Sequence, residues 1–277
     1  MRKTISRFQT VMTAINYLAG RSVTNNKHHV LVACMPKSGS SLVTHMIGSL
    51  PSFRVASVVQ GYDRNEHELS EIGLIRFNST NYATQNHIRY SAPLQRLMTD
   101  FNVRPIVLTR NIFDIIVSMR DHFRNVSLVW PLAYVPDDIA DWKDRDIDCF
   151  IADMMAPWYF NFYHSWLLCE EAIWLNYEDL KGNPTVTMEQ LLRQLQIEIR
   201  TDELNDVLQQ TLNAPLKTKN MGIVGRGQNV APDAIERVAT LKQYYTRDGY
   251  TDPLFERVFD HHVNRSVEGR ERQSSRA

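Results

Sequence analysis

The stretch that decides the fold reads His29-Val30-Leu31-Val32-Ala33-Cys34-Met35-Pro36-Lys37-Ser38-Gly39-Ser40-Ser41-Leu42-Val43-Thr44-His45. Its first part, residues 29–35, is a short apolar run rich in Val, which predicts a buried strand. Residues 36–40 then interrupt the apolar pattern with Pro, Ser and Gly. From Ser41 onward, apolar residues recur at helical spacing. The stretch therefore predicts a strand, a tight loop and a helix.

Such a loop is suited to bind a phosphate group. The first turn of a helix leaves backbone N–H groups without intrahelical partners at the positive end of the helix dipole. Gly39 permits close approach or a positive φ, Lys37 supplies a cation, and Ser38, Ser40 and Ser41 supply hydroxyl donors. The loop is not a Walker A sequence, because no Gly-Lys pair is followed by a hydroxyl residue. Taken alone, it is also compatible with an ordinary turn and a Ser helix cap.

Length and composition are typical of a globular domain of ordinary α/β size. The chain has 277 residues, of which 43% are hydrophobic and 22% charged, a composition that argues against disorder. Its length is sufficient for a full core in one domain. Lys and Arg number 31, as do Asp and Glu, so no overall positive charge attracts nucleic acid. An anionic ligand must therefore be bound by a local cluster.

The cysteines and the hydropathy pattern favour a cytoplasmic protein. Cys34, Cys149 and Cys169 form no metal-binding spacing, and their odd number favours a reducing compartment. No apolar run reaches the roughly 18 residues that a membrane-spanning helix needs. Residues 11–20 contain Thr13 and Asn16 and make a poor signal peptide; they are predicted to form an amphipathic helix.

A second strand–turn–helix pattern follows at residues 104–122. Arg104-Pro-Ile-Val-Leu-Thr-Arg110 has the pattern of a buried strand that ends in a charge, and an apolar helix pattern extends through His122. Arg110 and Ser118 are predicted to form a second anion cluster, because an Arg fork binds a phosphate dianion bidentately. The alternative is that Arg110 pairs only with Asp114 and that Ser118 is a buried helix residue.

The remaining segments extend this alternation of strands and helices. We predict strands at residues 53–59 and 172–177, and helices at 92–101, 149–171 with a kink at Pro157, 184–197 and 232–247. Residues 124–148 are predicted to be irregular, and 221–230 form a Gly-rich loop. The alternation predicts a central parallel sheet flanked by helices. We expect one domain over residues 1–277, with a helical N-terminal extension at about 1–27 and a polar tail at about 264–277.

Two segments resemble sulfotransferases that use 3′-phosphoadenosine 5′-phosphosulfate (PAPS). Residues 35–41, Met-Pro-Lys-Ser-Gly-Ser-Ser, resemble the family's phosphosulfate loop, whose usual form is Tyr-Pro-Lys-Ser-Gly-Thr-Thr. Arg110-Asn-Ile-Phe-Asp114, followed by Ser118, resembles the 3′-phosphate segment, Arg-Asn-x-x-Asp with a Ser eight residues after the Arg. The resemblance implies an α/β fold with a P-loop-like strand–loop–helix nucleotide site, and sulfuryl transfer from PAPS.

Two weaker matches extend the resemblance over residues 35–227. Residues 175–181 are similar to the family's Tyr-Glu-Asp-Leu segment, in which the Tyr, here Tyr177, lies near the adenine. Gly225-Arg226-Gly227 resembles the late loop that closes over the 3′-phosphate. The common Arg-Lys-Gly form and its following Gly-Asp-Trp are absent, so only Arg226 and Gly227 are carried over.

The resemblance also assigns roles to individual residues. Lys37 would hold the bridging and leaving phosphate oxygens. The nucleotide would be bound by Lys37, Ser38, Gly39, Ser40, Ser41, Arg110, Ser118, Tyr177, Arg226 and Gly227. No metal is implied.

The general base implied by the resemblance is His87. It lies 110 − 87 = 23 residues before Arg110, close to the interval in the family. The family's Lys-Thr-His pattern becomes Gln85-Asn86-His87, so the lysine is missing. A loop or core histidine with no catalytic role is the alternative for His87, and His45 and His122 are alternative bases.

The sequence thus predicts a cytoplasmic PAPS-dependent sulfotransferase that forms 3′-phosphoadenosine 5′-phosphate (PAP). The predicted acceptor is a hydroxyl or amine of a carbohydrate or small molecule, and no nucleic-acid partner is expected. Two alternatives remain at this point. One is a nucleotide kinase of related phosphate-loop architecture, and the other is a non-catalytic sensor that binds PAP.

Overall fold

The computed structural model describes residues 6–60, 66–128, 132–213, 223–250 and 252–261. Its centre is a four-stranded parallel sheet with strand order β2-β1-β3-β4. The strands are β1 His29–Cys34, β2 Tyr82–Asn86, β3 Val103–Thr109 and β4 Ile173–Asn176. The predicted α/β class with a central parallel sheet is confirmed.

The strand β1 is buried along its whole length. It pairs in parallel with β2 on one side and with β3 on the other. Parallel strands whose two faces are both buried have nearly continuous apolar sequences, as Val30-Leu-Val-Ala-Cys34 does. At the start of β1, the ring nitrogens of His29 lie 2.6 Å from the carbonyl oxygen of Phe101 and 2.9 Å from that of Asn78.

Helices alternate with the strands, as the apolar periodicity indicated. They are α1 Arg7–Leu18, α2 Ser40–Gly48, α3 Glu71–Phe77, α4 Ala92–Asp100, α5 Ile112–Asn125, α6 Asp144–Met154, α7 Ala156–Trp166, α8 Tyr177–Gly182, α9 Pro184–Gln194, α10 Thr201–Asn213, α11 Pro232–Tyr245 and α12 Pro253–Phe259. Asn183 caps α9 by accepting from the backbone N–H of Val186, and Pro184 occupies the first turn, where its missing N–H costs nothing.

The described chain divides into two compact units. The first contains the described residues up to Thr109, Leu132 and residues 161–213, and therefore the whole sheet. Its core joins the strands to apolar side chains of α2, α9 and α10, among them Met46, Leu191 and Leu208. The predicted single domain over residues 1–277 stays a prediction.

The second unit contains residues 110–128, 133–160 and the described residues from 223 onward. Its core is rich in aromatic side chains. The ring of Phe160 stacks on Phe259 with centroids 3.9 Å apart and on Tyr245 at 4.7 Å. Phe255 closes this cluster, with its ring centroid 4.8 Å from that of Phe259.

The predicted strand at residues 53–59 is wrong. This segment makes one isolated bridge to β2 at Val55–Ala83 and another at Val59–Leu69. Its backbone hydrogen bonds are therefore divided between two partners, and no continuous ladder forms. The strand beside β1 is instead β2, which was not predicted from the sequence.

The predicted helix at residues 149–171 is two helices, α6 and α7, with a break at Met155. The break lies just before Pro157, whose ring excludes the carbonyl of the residue four positions earlier. The segment predicted as irregular, 124–148, also contains a 3₁₀ turn, Ile139–Asp141, and the start of α6. The predicted polar tail at 264–277 and the start of the loop at 221–222 lie outside the described residues.

Among the described helices, none combines the length and the hydropathy that crossing a bilayer requires.

Candidate active site

The loop between β1 and α2 has an unusual backbone conformation. Lys37 has a φ of 66° and Gly39 a φ of 86°, so two of three consecutive residues have a left-handed backbone conformation. A left-handed lysine is uncommon and costs free energy. Ser38, between them, is buried and donates both its backbone N–H and its hydroxyl to the carbonyl of Met35, at 3.1 and 2.5 Å. The turn is thus held tightly by its own hydrogen bonds.

The N-terminus of α2 lacks a side-chain cap. Its N-cap residue is Gly39, and the first turn contains no acidic residue. In the same unit, Ser70 and Ser91 cap α3 and α4 by accepting backbone N–H groups. An anion at the start of α2 would supply the missing acceptor, and a helix N-terminus favours negative charge. These loop residues therefore fit the phosphate of a nucleotide.

Tyr177 lies directly on this loop. It is buried and begins α8, immediately after β4. A Cβ atom added to Gly39 would lie 2.3 Å from Cε2 of Tyr177, far inside contact distance. Gly39 is thus required twice, by its positive φ and by the ring against it. The tyrosine predicted to lie near the adenine packs against the phosphate loop.

His87 follows β2 and faces the end of β1. Its Nδ1 lies 3.1 Å from the carbonyl oxygen of Cys34, the last residue of β1. A ring nitrogen that bonds a carbonyl must carry the proton, so the neutral ring is protonated at Nδ1 and its Nε2 has a free lone pair. The Cys34 thiol, 3.3 Å from Nδ1, donates instead to the carbonyl of Asn86 at 3.4 Å. His87 is therefore held in the tautomer that accepts a proton at Nε2.

The surroundings of His87 keep it neutral. Burial lowers its pKa to about 4, against the hydrogen bond to the carbonyl of Cys34, which raises it; the charges of His67 and Lys37 lower it further. Its ring stacks on that of His67, with centroids 5.1 Å apart. The ring Nδ1 of His67 also accepts the backbone N–H of His87 (3.0 Å), and the backbone N–H of His67 donates to the carbonyl of His87 (3.1 Å). Sequence reasoning did not identify His67, which precedes His87 by 20 residues with no motif between them.

The two alternative bases lie in different surroundings. His45 is exposed on α2, and its Nδ1 lies 2.7 Å from the carbonyl of Ser41, one helical turn earlier. His122 is in the last turn of α5, in the second unit, where its ring lies edge-on to Phe123. His87, in contrast, contacts the end of β1, where the phosphate loop begins.

The second predicted cluster is built around Asp114 in the second unit. Arg110 is buried and donates from Nη2 to Asp114 Oδ2 at 3.3 Å and to the carbonyl of Ile223 at 2.9 Å. Asp114 also accepts the backbone N–H groups of Gly225 (2.9 Å) and Gly227 (2.7 Å). The ion pair considered as an alternative for Arg110 is formed, and through Asp114 it connects Arg110 with the late loop.

The other predicted residues of this cluster lie on α5 or against it. Ser118 lies one turn further along α5 and is buried. Gly227 packs so closely on α5 that an added Cβ would lie 2.6 Å from Cβ of Phe113. Arg226 donates from Nη1 to Asp121 at 2.7 Å. The second unit therefore brings Arg110, Arg226 and Gly227 to one face of α5.

Comparison with known proteins identifies the class. A model of the sulfotransferase domain matches residues 27–229, most of the chain. The chain therefore belongs to the sulfotransferase family, which confirms the family predicted from the two motifs. It is an enzyme of the PAPS-dependent sulfotransferase class. No curated protein matches the chain in sequence.

Solved structures of sulfotransferases share the fold. Mouse sulfotransferase SULT7A1 complexed with PAP is 15% identical, with a TM-score of 0.61 over 87% of this chain and 92% of that chain. Retinol dehydratase in complex with androsterone and PAP is 12% identical, with a TM-score of 0.56 over 89% and 88%. Sulfotransferase STF9 from Mycobacterium avium is 9% identical, with a TM-score of 0.52 over 92% and 83%. At such identities the likeness establishes the fold alone.

Proposed function

We propose that this enzyme transfers the sulfuryl group of PAPS to a hydroxyl group of a small-molecule acceptor, with His87 as the general base. The observation that carries the proposal is the hydrogen bond from Nδ1 of His87 to the carbonyl of Cys34. This bond leaves Nε2 to take the proton from the hydroxyl group of the substrate. The same strand leads directly into the phosphate loop. The base and the loop therefore belong to one unit of the protein.

The nucleotide-binding residues divide between the two clusters. The loop residues Lys37, Ser38, Gly39, Ser40 and Ser41 would hold the phosphosulfate end, with Tyr177 against the loop. Arg110, Ser118, Arg226 and Gly227 would hold the 3′-phosphate. Both assignments rest on the motif matches, and each is supported by the buried setting of Ser38, Arg110 and Ser118. A dianion is recognised well by an Arg fork together with backbone N–H groups.

Each residue then has a defined task. PAPS, when bound, supplies the sulfuryl group, and the bond from sulfur to the 5′-phosphate breaks as the acceptor oxygen bonds to sulfur. His87 Nε2 takes the proton of the acceptor hydroxyl, which makes that oxygen a stronger nucleophile. Lys37 and the N–H groups of α2 stabilise the negative charge that develops on the leaving phosphate.

Structural relatives favour an alcohol as the acceptor. Retinol dehydratase has been solved with androsterone and PAP, and also with retinol and PAP. Androsterone and retinol are both small apolar alcohols. We therefore place small-molecule hydroxyls before carbohydrate hydroxyls and amines. We further propose a cytoplasmic location, because Cys34, Cys149 and Cys169 are all free thiols.

An acceptor screen with ³⁵S-labelled PAPS tests the reaction. Label is expected to pass to alcohols such as sterols and retinoids in amounts matched by PAP formation. Label that appears only in inorganic sulfate, or no turnover with PAP bound tightly, would favour the PAP sensor over the enzyme. Greater thermal stabilisation by ATP and Mg²⁺ than by PAP would favour the kinase.

Two variants separate the roles of the clusters. Lys37→Ala removes a cation at the leaving phosphate and is expected to lower turnover more than PAP affinity. Arg110→Ala is expected to weaken PAP binding by about 1.5–3 kcal/mol, the contribution of a hydrogen bond to a charged group. Lys181→Ala, at an exposed lysine, and Arg104→Ala, at the opposite end of β3, are the matched controls. Equal PAP affinity of Arg110→Ala and Arg104→Ala in calorimetry would contradict the assignment.

A further inference from the structure

The helix α1 has its apolar side turned outward. Among its large apolar residues, Phe8 is 73% exposed, Ile15 50% and Leu18 83%, and no residue of the helix is buried. Together with Val11 and Met12, which are also exposed, they follow the i, i+3, i+4, i+7 spacing that places side chains on one face. The described part of the chain leaves this stripe uncovered.

The opposite side of α1 holds it on the first unit. The ring of Tyr17 lies 4.9 Å from that of Phe101, and Thr13 accepts a hydrogen bond from Asn78 at 3.5 Å. The carboxylates of Glu71 and Asp100 act on Tyr17 and so belong to this inner side. The helix is thus anchored through a mixed polar and aromatic side, and the apolar stripe is the side that remains available.

In the sequence around α1, every charged residue is a Lys or an Arg. The first 62 residues contain seven Lys and Arg and no Asp or Glu, although the whole chain has 31 of each kind. Four of the seven, Arg2, Lys3, Arg7 and Arg21, immediately precede, begin or follow the helix. The remaining residues therefore have 24 basic and 31 acidic side chains. A positive apolar helix on an otherwise acidic chain matches a negatively charged apolar surface.

We propose that α1 docks the enzyme on the surface of a membrane that contains anionic phospholipids. A helix of 12 residues is too short to span a bilayer, but it can lie in the interface with its apolar stripe among the acyl chains. The neighbouring Arg and Lys side chains then contact the lipid phosphates. Docking of this kind concentrates the enzyme where apolar alcohols are dissolved.

Vesicle sedimentation of the full chain tests this proposal. Wild-type protein is expected to sediment with vesicles of equimolar phosphatidylcholine and phosphatidylglycerol, and much less with phosphatidylcholine alone. Ile15→Asp, in the centre of the stripe, is expected to reduce partitioning by at least about tenfold, since it removes apolar burial and adds a like charge to that of the lipid. Gln9→Asp is the matched control, because it adds the same charge to the same helix at an exposed position off the stripe; its loss is expected to stay below about threefold.

Three outcomes would overturn the proposal: no sedimentation of the wild type, equal sedimentation with both vesicle types, or equal effects of Ile15→Asp and Gln9→Asp. Light scattering over a range of concentrations distinguishes the competing occupant, a second copy of the chain. A dimer that Ile15→Asp dissolves, with no vesicle binding, assigns the stripe to self-association. PAP-induced thermal shifts equal to that of wild type verify that both variants remain folded.

Discussion

At the residue scale, proton transfer depends on the fixed tautomer of His87. The Nδ1–H of His87 is committed to the carbonyl of Cys34, and burial keeps the ring neutral at physiological pH. His87→Asn is expected to lower turnover about 10²–10⁴-fold, the usual contribution of a positioned general base. PAP affinity should change little, since the role lies on the acceptor side.

Single-turnover transfer from labelled PAPS, with calorimetry of PAP, measures both properties. His45→Asn and His122→Asn are the controls, because each removes an imidazole that has a different setting. Should either control lose turnover with PAP binding intact while His87→Asn remains active, the base is misassigned.

His67 is expected to position His87 without touching the substrate. It accepts the backbone N–H of His87 and stacks on its ring. His67→Phe keeps a ring but loses the acceptor, and turnover is expected to fall about fivefold, the equivalent of one hydrogen bond of ~1 kcal/mol. His67→Asn provides an amide oxygen at a similar position and should retain more activity.

The pH profile distinguishes this positioning role from a catalytic one. The acidic limb of kcat/KM for PAPS should lie near the pKa of His87, about 4, in the wild type. It should move toward higher pH in His67→Phe, because the charge of His67 lowers the pKa of His87 and the variant removes that charge. Identical profiles and turnover in His67→Phe and the wild type would contradict the role of His67.

At the scale of elements, the contact between the late loop and α5 permits no side chain at Gly227. An added Cβ would lie 2.6 Å from Cβ of Phe113 and 3.0 Å from its carbonyl carbon. Backbone atoms cannot move aside as the end of a flexible side chain can. Gly227→Ala is expected to lower the free energy of unfolding by about 1–3 kcal/mol, typical of overpacking, and to weaken PAP binding. Gly182→Ala, with no atom within 4 Å of its added Cβ, serves as control. Urea unfolding with indistinguishable midpoints for the two variants would refute this packing argument.

A buried ion pair connects three helices of the second unit. Arg120 of α5 donates from Nη1 to both oxygens of Asp148 in α6, at 2.9 and 2.8 Å. Asp148 also accepts the backbone N–H of Ala231, the N-cap residue of α11, at 3.0 Å. Asp148→Ala therefore removes both hydrogen bonds of a buried guanidinium, which keeps among the described residues only the exposed Asp144 at 3.5 Å, and it leaves a backbone donor unpaired. It is expected to cost about 3–5 kcal/mol of stability.

The exposed pair of Arg237 and Asp153 in the same unit is the control. Asp153→Ala should change the free energy of unfolding by less than about 1 kcal/mol, because water screens exposed charges. The double variant Arg120→Met/Asp148→Leu should be more stable than Asp148→Ala, since no charge remains buried. A double variant less stable than Asp148→Ala would show that the charges themselves stabilise this unit.

At the scale of the whole molecule, stability is expected to fall in mild acid. Burial lowers the pKa of His28, His67 and His164, and lowers that of His87 to about 4. In the unfolded chain these groups have the ordinary value near 6.5, so between about pH 6.5 and 4 the unfolded state binds more protons than the folded state. The stability that neutral histidines contribute is therefore complete above about pH 6.5 and is lost as the pH falls toward 4.

Urea unfolding at pH 7.5, 6 and 5 measures this dependence. The midpoint is expected to decrease with each step, and the decrease should be smaller in His87→Asn, which has no group to titrate at that position. A midpoint that is constant or rises between pH 7.5 and 5 would contradict the lowered pKa values.

The sequence by itself determined the elements whose signals are local. The apolar run at 29–34 with the loop and helix after it, the strand and helix around Arg110, and the Asn183-Pro184 helix start are all found where they were predicted. Each depends on periodicity or turn chemistry within a few residues, because the backbone period and the cap are properties of the segment itself. The same segments carried the motifs from which the family was predicted.

Only the tertiary structure decided which distant residues meet. The edge strand β2 exists because β1 offers it a partner, whereas its own sequence, Tyr-Ala-Thr-Gln-Asn, has little strand pattern. Asp114 accepts backbone N–H groups from a loop more than 100 residues later, and His67 contacts His87, from which α3 and β2 separate it in sequence. Such contacts leave no periodic trace in the sequence, because they depend on how the elements pack and not on what any one of them prefers alone.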